Sequence, residues 1–261
     1  MRLDAYLAQS GLARSRTHAQ KLIDGGFVSV NGKTADKPSL TVDSDTDQIA
    51  VTGEPYPFVG RGGVKLEAAL TAFDIDVTGM TAVDIGASTG GFTDCLLRRG
   101  AAHVFCVDSG TGQLAKELLS DNRVTNIERF NARALSPATL GVLCDIAVMD
   151  LSFISACHVL PNAASVLLPG GIYVGLVKPQ FECGIGATDQ KGIIRDPALH
   201  REAVRRVVHC AAECGLQLFA MTDSPILGGD GNREFLIACR RTDQAAVPDT
   251  FEKMLCELVK L

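Results

Sequence analysis

The sequence predicts an α/β fold: a seven-stranded, mostly parallel sheet covered by helices, preceded by a small α+β module. Three observations predict it. From residue 60 onward, apolar strand-like runs alternate with helical patterns, which means a mostly parallel sheet with both faces covered. The first of these runs leads into a glycine-rich turn that opens a helix. Before residue 54 the pattern differs: two short helical stripes, then two strand runs around an Asn-Gly turn.

The first module divides into elements as follows. Leu3, Tyr6 and Leu7 form one apolar stripe, and Ala19, Leu22 and Ile23 form a second. Ser15 is placed to cap the second helix, and Gly25-Gly26 to end it. Phe27-Val28-Ser29-Val30 reads as a strand, Asn31-Gly32 as a hairpin turn, and 48–51 as a further strand. Residues 1–40 carry six bases (Arg2, Arg14, Arg16, Lys21, Lys33, Lys37) against three acids (Asp4, Asp24, Asp36), a net of +3. The next stretch holds Asp43, Asp45, Asp47 and Glu54 with no base, and that shift marks a boundary. Glu54-Pro55-Tyr56-Pro57 follows as a stiff linker, because each proline restricts itself and its predecessor.

Arg2-Leu3-Asp4, Leu7, Gly11-Leu12-Ala13, Ser15-Arg16, Ala19, Leu22-Ile23, Gly25, Val28 and Val30-Asn31-Gly32 resemble an RNA-binding domain first described in a small-subunit ribosomal protein, the "S-four" fold. In that family the second helix and its preceding loop meet RNA. The resemblance therefore implies Arg14, Arg16, His18, Lys21 and Lys33 as phosphate contacts. The alternative for each is an ordinary solvated side chain. Such contacts position a protein without reading sequence.

Strands are expected in the larger part at 82–85, 103–107, 124–127, 146–149, 172–177, 218–222 and 235–239, with helical patterns such as 64–73, 91–98 and 197–214 between them. Residues 223–233 are too few for a helical crossover, so the last strand is antiparallel. Six parallel strands plus one antiparallel strand is the Rossmann-like sheet of methyltransferases. The turn Val83-Asp84-Ile85-Gly86-Ala87-Ser88-Thr89-Gly90-Gly91-Phe92 is Gly-x-x-x-Gly-Gly, not the Gly-x-Gly-x-x-Gly that serves a pyrophosphate. That departure favours S-adenosylmethionine (SAM), which has no phosphate. Asp84, Gly86, Ser88, Gly90, Gly91 and Phe92 are the candidate cofactor residues of the turn. Asp108 ends the second strand, 22 residues after Gly86, where an acid holds ribose hydroxyls or forms a turn before Ser109-Gly110. Asn131 follows the third strand, either at an adenine edge or as a turn residue.

Four polar residues converge on the carboxyl rim of the sheet, where open α/β folds bind ligands. Lys65 lies in the helix before the first strand, Asp150 ends the fourth strand, Lys178 ends the fifth and Glu234 begins the last. This Lys–Asp–Lys–Glu order resembles the FtsJ-like ribose 2′-O-methyltransferases. With the N-terminal module, residues 1–240 resemble the TlyA (hemolysin A-like) family of rRNA methyltransferases. The resemblance implies an RNA-binding domain at 1–55, a linker at 56–59 and a SAM-dependent catalytic domain at 60–261. It implies 2′-O-methylation of rRNA, usually at cytidine, with rRNA or ribosomal subunits as partner; with no Cys-x-x-Cys pair in the sequence, no metal is expected. A ribose hydroxyl is a poor nucleophile and needs a positioned base. A lysine serves when desolvation and nearby positive charge favour its neutral form. Lys178 is the expected base, Asp150 its orienter and a second SAM-site residue, and Lys65 with Glu234 the pair that holds the ribose.

Residues 179–195 lack apolar periodicity, and the expectation is a lid that orders on RNA, with an idle loop as the alternative. The nine scattered cysteines include no Cys-x-x-Cys pair and are expected as reduced, buried thiols. The N-terminus lacks the apolar core of a signal peptide, and the longest apolar runs, such as 170–177, fall short of a membrane span. A cytoplasmic protein is expected. The competing readings are a membrane-active hemolysin, a non-catalytic RNA-binding assembly factor, and a NAD-dependent oxidoreductase, the last disfavoured by the glycine spacing. The oligomeric state stays open.

Overall fold

The computed structural model describes residues 1–53, 56–184, 186–228 and 231–260, so Glu54 and Pro55 of the expected linker lie outside the described residues. The chain divides into two compact units, Met1–Pro57 and Phe58–Leu261.

The first unit contains α1 (Leu3–Gln9), α2 (Arg16–Asp24), β1 (Val28–Val30), β2 (Lys33–Thr34) and β3 (Ile49–Val51). Leu3, Leu7, Ala19, Leu22, Ile23 and Val28 form its core, so the two predicted stripes are the faces that meet. Ser15 Oγ accepts from the His18 N–H and caps α2. The strands form an antiparallel sheet in the order β2-β1-β3. Asn31 and Gly32 both have positive φ, 52° and 75°, as the two-residue turn between Val30 and Lys33 requires.

The second unit runs α3 (Arg61–Ala72), β4 (Thr81–Ile85), α4 (Gly91–Arg98), β5 (His103–Val107), α5 (Lys116–Leu119), β6 (Val124–Ile127), α6 (Pro137–Leu140), β7 (Cys144–Met149), α7 (Leu160–Ser165), β8 (Leu167–Val177), α8 (Pro179–Glu182), α9 (Pro197–Glu213), β9 (Leu216–Asp223), β10 (Phe235–Arg241) and α10 (Phe251–Leu258). The sheet order is β6-β5-β4-β7-β8-β10-β9, and β10 is antiparallel to both neighbours. This is the Rossmann-like arrangement expected. Side chains along each central strand alternate between two buried cores. Val83, Ile85, Ala147, Met149 and Tyr173 face one core with α7, α9 and α10. Ala82, Ile146, Val148, Val174 and Leu176 face the other with α3 and α4.

The thiol expectation needs a correction. Cys157 and Cys210 are joined in a disulfide, with Cα atoms 5.6 Å apart. They are 53 residues apart in sequence, and only the packing of α9 against the 156–158 turn brings them together. Of the others, Cys95, Cys106, Cys144 and Cys239 are buried. Burial pushes the Cys106 and Cys144 thiols up to about 12, so both stay protonated and unreactive.

Within the expected lid at 179–195, Pro179–Glu182 form α8 and a turn follows at 189–193. Asp189 Oδ1 accepts from the N–H groups of Lys191 and Ile193 and folds a turn. Buried Asn232 clasps that turn, accepting from the Ile194 N–H and donating to the Gly192 carbonyl, both at 2.9 Å. The 189–194 turn is thus tied to a residue two positions before Glu234.

Candidate active site

The glycine turn is shaped by the chain beneath it. Gly86 has φ +89°, and a Cβ there would lie 2.8 Å from the Asp150 carbonyl oxygen. Gly90, at φ +90°, begins α4, and a Cβ there would collide with Leu118. Asp84 is wholly buried, and its Oδ2 accepts from the Thr93 N–H (3.0 Å) and hydroxyl (2.7 Å) in the first turn of α4. Its Oδ1 has no hydrogen-bond partner, and burial pushes this carboxyl up to about 7. Asp84 therefore anchors the helix that carries the loop rather than facing a ligand. Phe92 is buried in the α3–α4 core, and Gly91 packs against the start of α3. Ser88 is on the outer side, donating its N–H to Asp108 and its hydroxyl to Gln113.

A cleft of about 130 Å³ opens beside Gly86. Val107, Phe130, Ala132, Leu151, Ile154 and Val159 give apolar walls, and Asp108, Ser109, Asn131 and Ser152 give polar ones. Asp108 is fixed by two backbone bonds, from Ser88 N–H (2.8 Å) and Gly110 N–H (2.7 Å). Each carboxylate oxygen keeps a second lone pair for a ribose hydroxyl. Asn131 caps the following 3-10 turn by accepting from the Arg133 N–H, and it lines the cleft as well. An apolar slot for an adenine, an acid for ribose hydroxyls and a backbone kept open at Gly86 fit SAM. Of the predicted cofactor residues, Gly86, Asp108 and Asn131 line this cleft; Asp84, Gly90, Gly91 and Phe92 support it from beneath.

Three strand-end residues and Lys65 of α3 meet beyond the cleft. In register, Phe235 pairs with Val177 and Met149 with Gly175, so Glu234, Lys178 and Asp150 come to one edge. Lys65 Nζ donates to Glu234 Oε2 at 2.6 Å and lies 3.8 Å from Asp150 Oδ2. Lys178 Nζ lies 2.6 Å from Asp150 Oδ1 and donates to Ser152 Oγ at 3.0 Å. Lys65, Lys178 and Glu234 are 5%, 8% and 3% exposed, while Asp150 is more open. Two cations and two anions balance, which is the condition for burying all four. Asp150 is the hinge of the set, shared by both lysines.

Sequence reasoning missed several residues here. Glu182 is buried and holds the loop after Asp150, accepting from Ser155 Oγ (2.6 Å) and Ala156 N–H (2.8 Å). Phe153 is 90% exposed at φ +66°, against Phe181 at a ring distance of 5.4 Å. Aromatic faces of this kind stack nucleic-acid bases. Their place near Asp150 and Lys178 was visible in the sequence; their contacts, made between segments some 26 residues apart, were not.

In the first unit, Arg16 bonds the buried carboxylate of Asp4 at 3.1 Å, with Arg2 and Gln20 on the same acid. These partners hold the Asp4 carboxyl well below the usual range. Arg14, Arg16 and Lys33 are exposed, and His18 and Lys21 half-buried. His18 Nδ1 accepts from the Arg14 N–H.

No helix among the described residues is long and apolar enough to cross a membrane. The S4 domain matches residues 1–49, and the FtsJ-like methyltransferase family matches residues 58–241. The chain is 45% identical over 245 residues to the 16S/23S rRNA (cytidine-2′-O)-methyltransferase TlyA of Mycobacterium tuberculosis, spanning 94% of this chain and 91% of that one. It is 40% identical over 237 residues to Hemolysin A of Brachyspira hyodysenteriae, spanning 90% and 98%. A solved hemolysin-like protein of Streptococcus thermophilus superimposes with a TM-score of 0.78 at 39% identity, over 99% of this chain and 95% of that one. Matched over this length, the chain belongs to the FtsJ-like methyltransferase family, carries an S4 domain ahead of the catalytic fold, and uses S-adenosylmethionine as its cofactor.

Proposed function

We propose that this enzyme methylates the 2′-hydroxyl of a cytidine ribose in ribosomal RNA, free or within a ribosomal subunit. The observation that carries the reading is the buried chain Glu234–Lys65–Asp150–Lys178 beside the cofactor cleft. The cofactor supplies an electrophilic methyl group. Lys178 takes the proton of the 2′-hydroxyl as the oxygen attacks, and Asp150 holds the lysine at the rim. Lys65, balanced by Glu234, binds the ribose oxygens and keeps the attacking atom in line. The exposed ring of Phe153 offers a surface on which a base stacks. The N-terminal unit, residues 1–55 in this reading, docks RNA phosphates through Arg14, Arg16, His18, Lys21 and Lys33. The relative named TlyA, an rRNA (cytidine-2′-O)-methyltransferase, supports the choice of substrate.

The test is a map of 2′-O-methyl groups on rRNA treated with wild-type enzyme or Lys178→Ala. New ribose methylation at cytidine, absent with the variant, is expected. Methyl groups on bases, or none on rRNA, would overturn the reading.

A further inference from the structure

We infer that Ser152 is a positioning residue of this site, aiming the Lys178 amine at the substrate hydroxyl. The inference rests on the reading of Lys178 as the base.

Among the described residues, Asp150 and Ser152 approach Lys178 Nζ. Asp150 Oδ1 is at 2.6 Å, but the angles are not those of a hydrogen bond, and that oxygen has no hydrogen-bond partner. Ser152 Oγ is at 3.0 Å and does accept a hydrogen bond. The distinction matters for a base. Attraction between charges depends on separation and says little about direction. A hydrogen bond is directional and weakens steeply as it bends. Asp150 therefore sets where the nitrogen sits, and Ser152 sets how it is turned about the Cε–Nζ bond. A neutral amine has two N–H bonds and one lone pair in tetrahedral directions. With one N–H held by Ser152, the second N–H and the lone pair are confined to the two remaining tetrahedral directions.

The position of Ser152 is itself fixed. It lies two residues beyond Asp150, in the loop that Glu182 binds through Ser155 and Ala156. Glu182 stands in the short helix that begins directly after Lys178. The segments bearing the hydroxyl and the amine are thus tied together on both sides of their contact. Ser152 also lines the cofactor cleft, so the residue that touches the amine borders the cofactor site as well.

The experiment uses the full-length enzyme, with rRNA and SAM saturating, in single-turnover methyl transfer. Ser152→Ala should slow the chemical step about ten- to a hundredfold, as misdirected reactants do, with Kd for SAM and RNA moved by less than about threefold. Ser152→Thr should restore most of the rate, whereas its isostere Ser152→Val should not. Added to Lys178→Ala, Ser152→Ala should cost nothing further, because its effect runs through the missing amine. A Ser152→Ala enzyme as fast as wild type, a Ser152→Val as fast as Ser152→Thr, or a loss that multiplies with that of Lys178→Ala would overturn the inference. If Lys178→Ala alone keeps the wild-type rate, the base reading falls and this inference with it. If Lys178→Ala is crippled but Ser152→Ala is not, this inference alone falls.

Discussion

As the proposed base, Lys178 has to be held by an acid and yet accept a proton, and an Asp150 shared between two lysines is compatible with both. Asp150 is contacted by both lysines, and Lys65 is in turn bonded to Glu234, so the acid is not devoted to Lys178 alone. Lys178→Ala should lower the single-turnover rate on the order of a hundred- to ten-thousandfold, the usual loss on removing a general base. SAM and RNA affinity should change far less. Lys178→Arg should be as poor, since a guanidinium stays protonated. A Lys178→Ala enzyme that kept more than about a tenth of the rate would move the base elsewhere. Asp84 couples the stability of the fold to pH. Its carboxyl is raised by burial from 3.8 to about 7 in the folded protein. Through that window the unfolded chain gives up the proton first, so stability present at low pH is lost as pH rises towards 7. Asp84→Asn removes this titration. From about pH 4 to about pH 7, the urea midpoint of the variant should gain on wild type and then level off; parallel profiles would place the titration elsewhere.

The turn between β4 and α4 is the element on which the cofactor cleft depends. Its conformation requires glycine where φ is positive and neighbours crowd, at Gly86 and Gly90. Gly90→Ala should destabilise the fold by about 1–3 kcal/mol through a strained φ and the collision with Leu118, read as a lower denaturant midpoint. Asp108, by contrast, is held at the rim by backbone donors and is dispensable to the core. Asp108→Ala should leave the melting temperature close to wild type and weaken SAM binding in calorimetry. Unchanged SAM affinity in a folded Asp108→Ala protein would remove this acid from the cofactor site. The turn was legible because glycine spacing is a local property of the sequence. The roles within it were not. Phe92 and Asp84 read as cofactor residues by position, and burial turned them into core and anchor.

At the scale of the whole molecule, the proposed division of labour is between the two compact units. The net charge of −5 leaves RNA affinity to local clusters of bases. In the full chain, replacing both Arg14 and Lys33 with Ala should weaken rRNA binding and lower the salt dependence of log Kd by about two, one for each lost phosphate contact. SAM affinity should stay at the wild-type value. RNA affinity indifferent to salt would refute the phosphate-docking role. Arg16 is a less clean probe, because it also bonds buried Asp4 and its loss would disturb the core of its own unit.

The sequence by itself determined the sheet, its antiparallel last strand, the helical stripes of the first unit and the edge at which four charged residues gather. These follow from periodicity, turn chemistry and chain order, which are written locally. Strand ends also locate a ligand edge before any contact is known. Tertiary structure alone decided the rest: the sharing of Asp150 between two lysines, the bond from Lys178 to Ser152, the docking of the 189–195 turn on Asn232, and the joining of Cys157 to Cys210. Each joins segments about 26 or more residues apart, most of them much more. A side chain's partner across such a distance is set by strand register, helix packing and loop path together, and no local pattern encodes that sum.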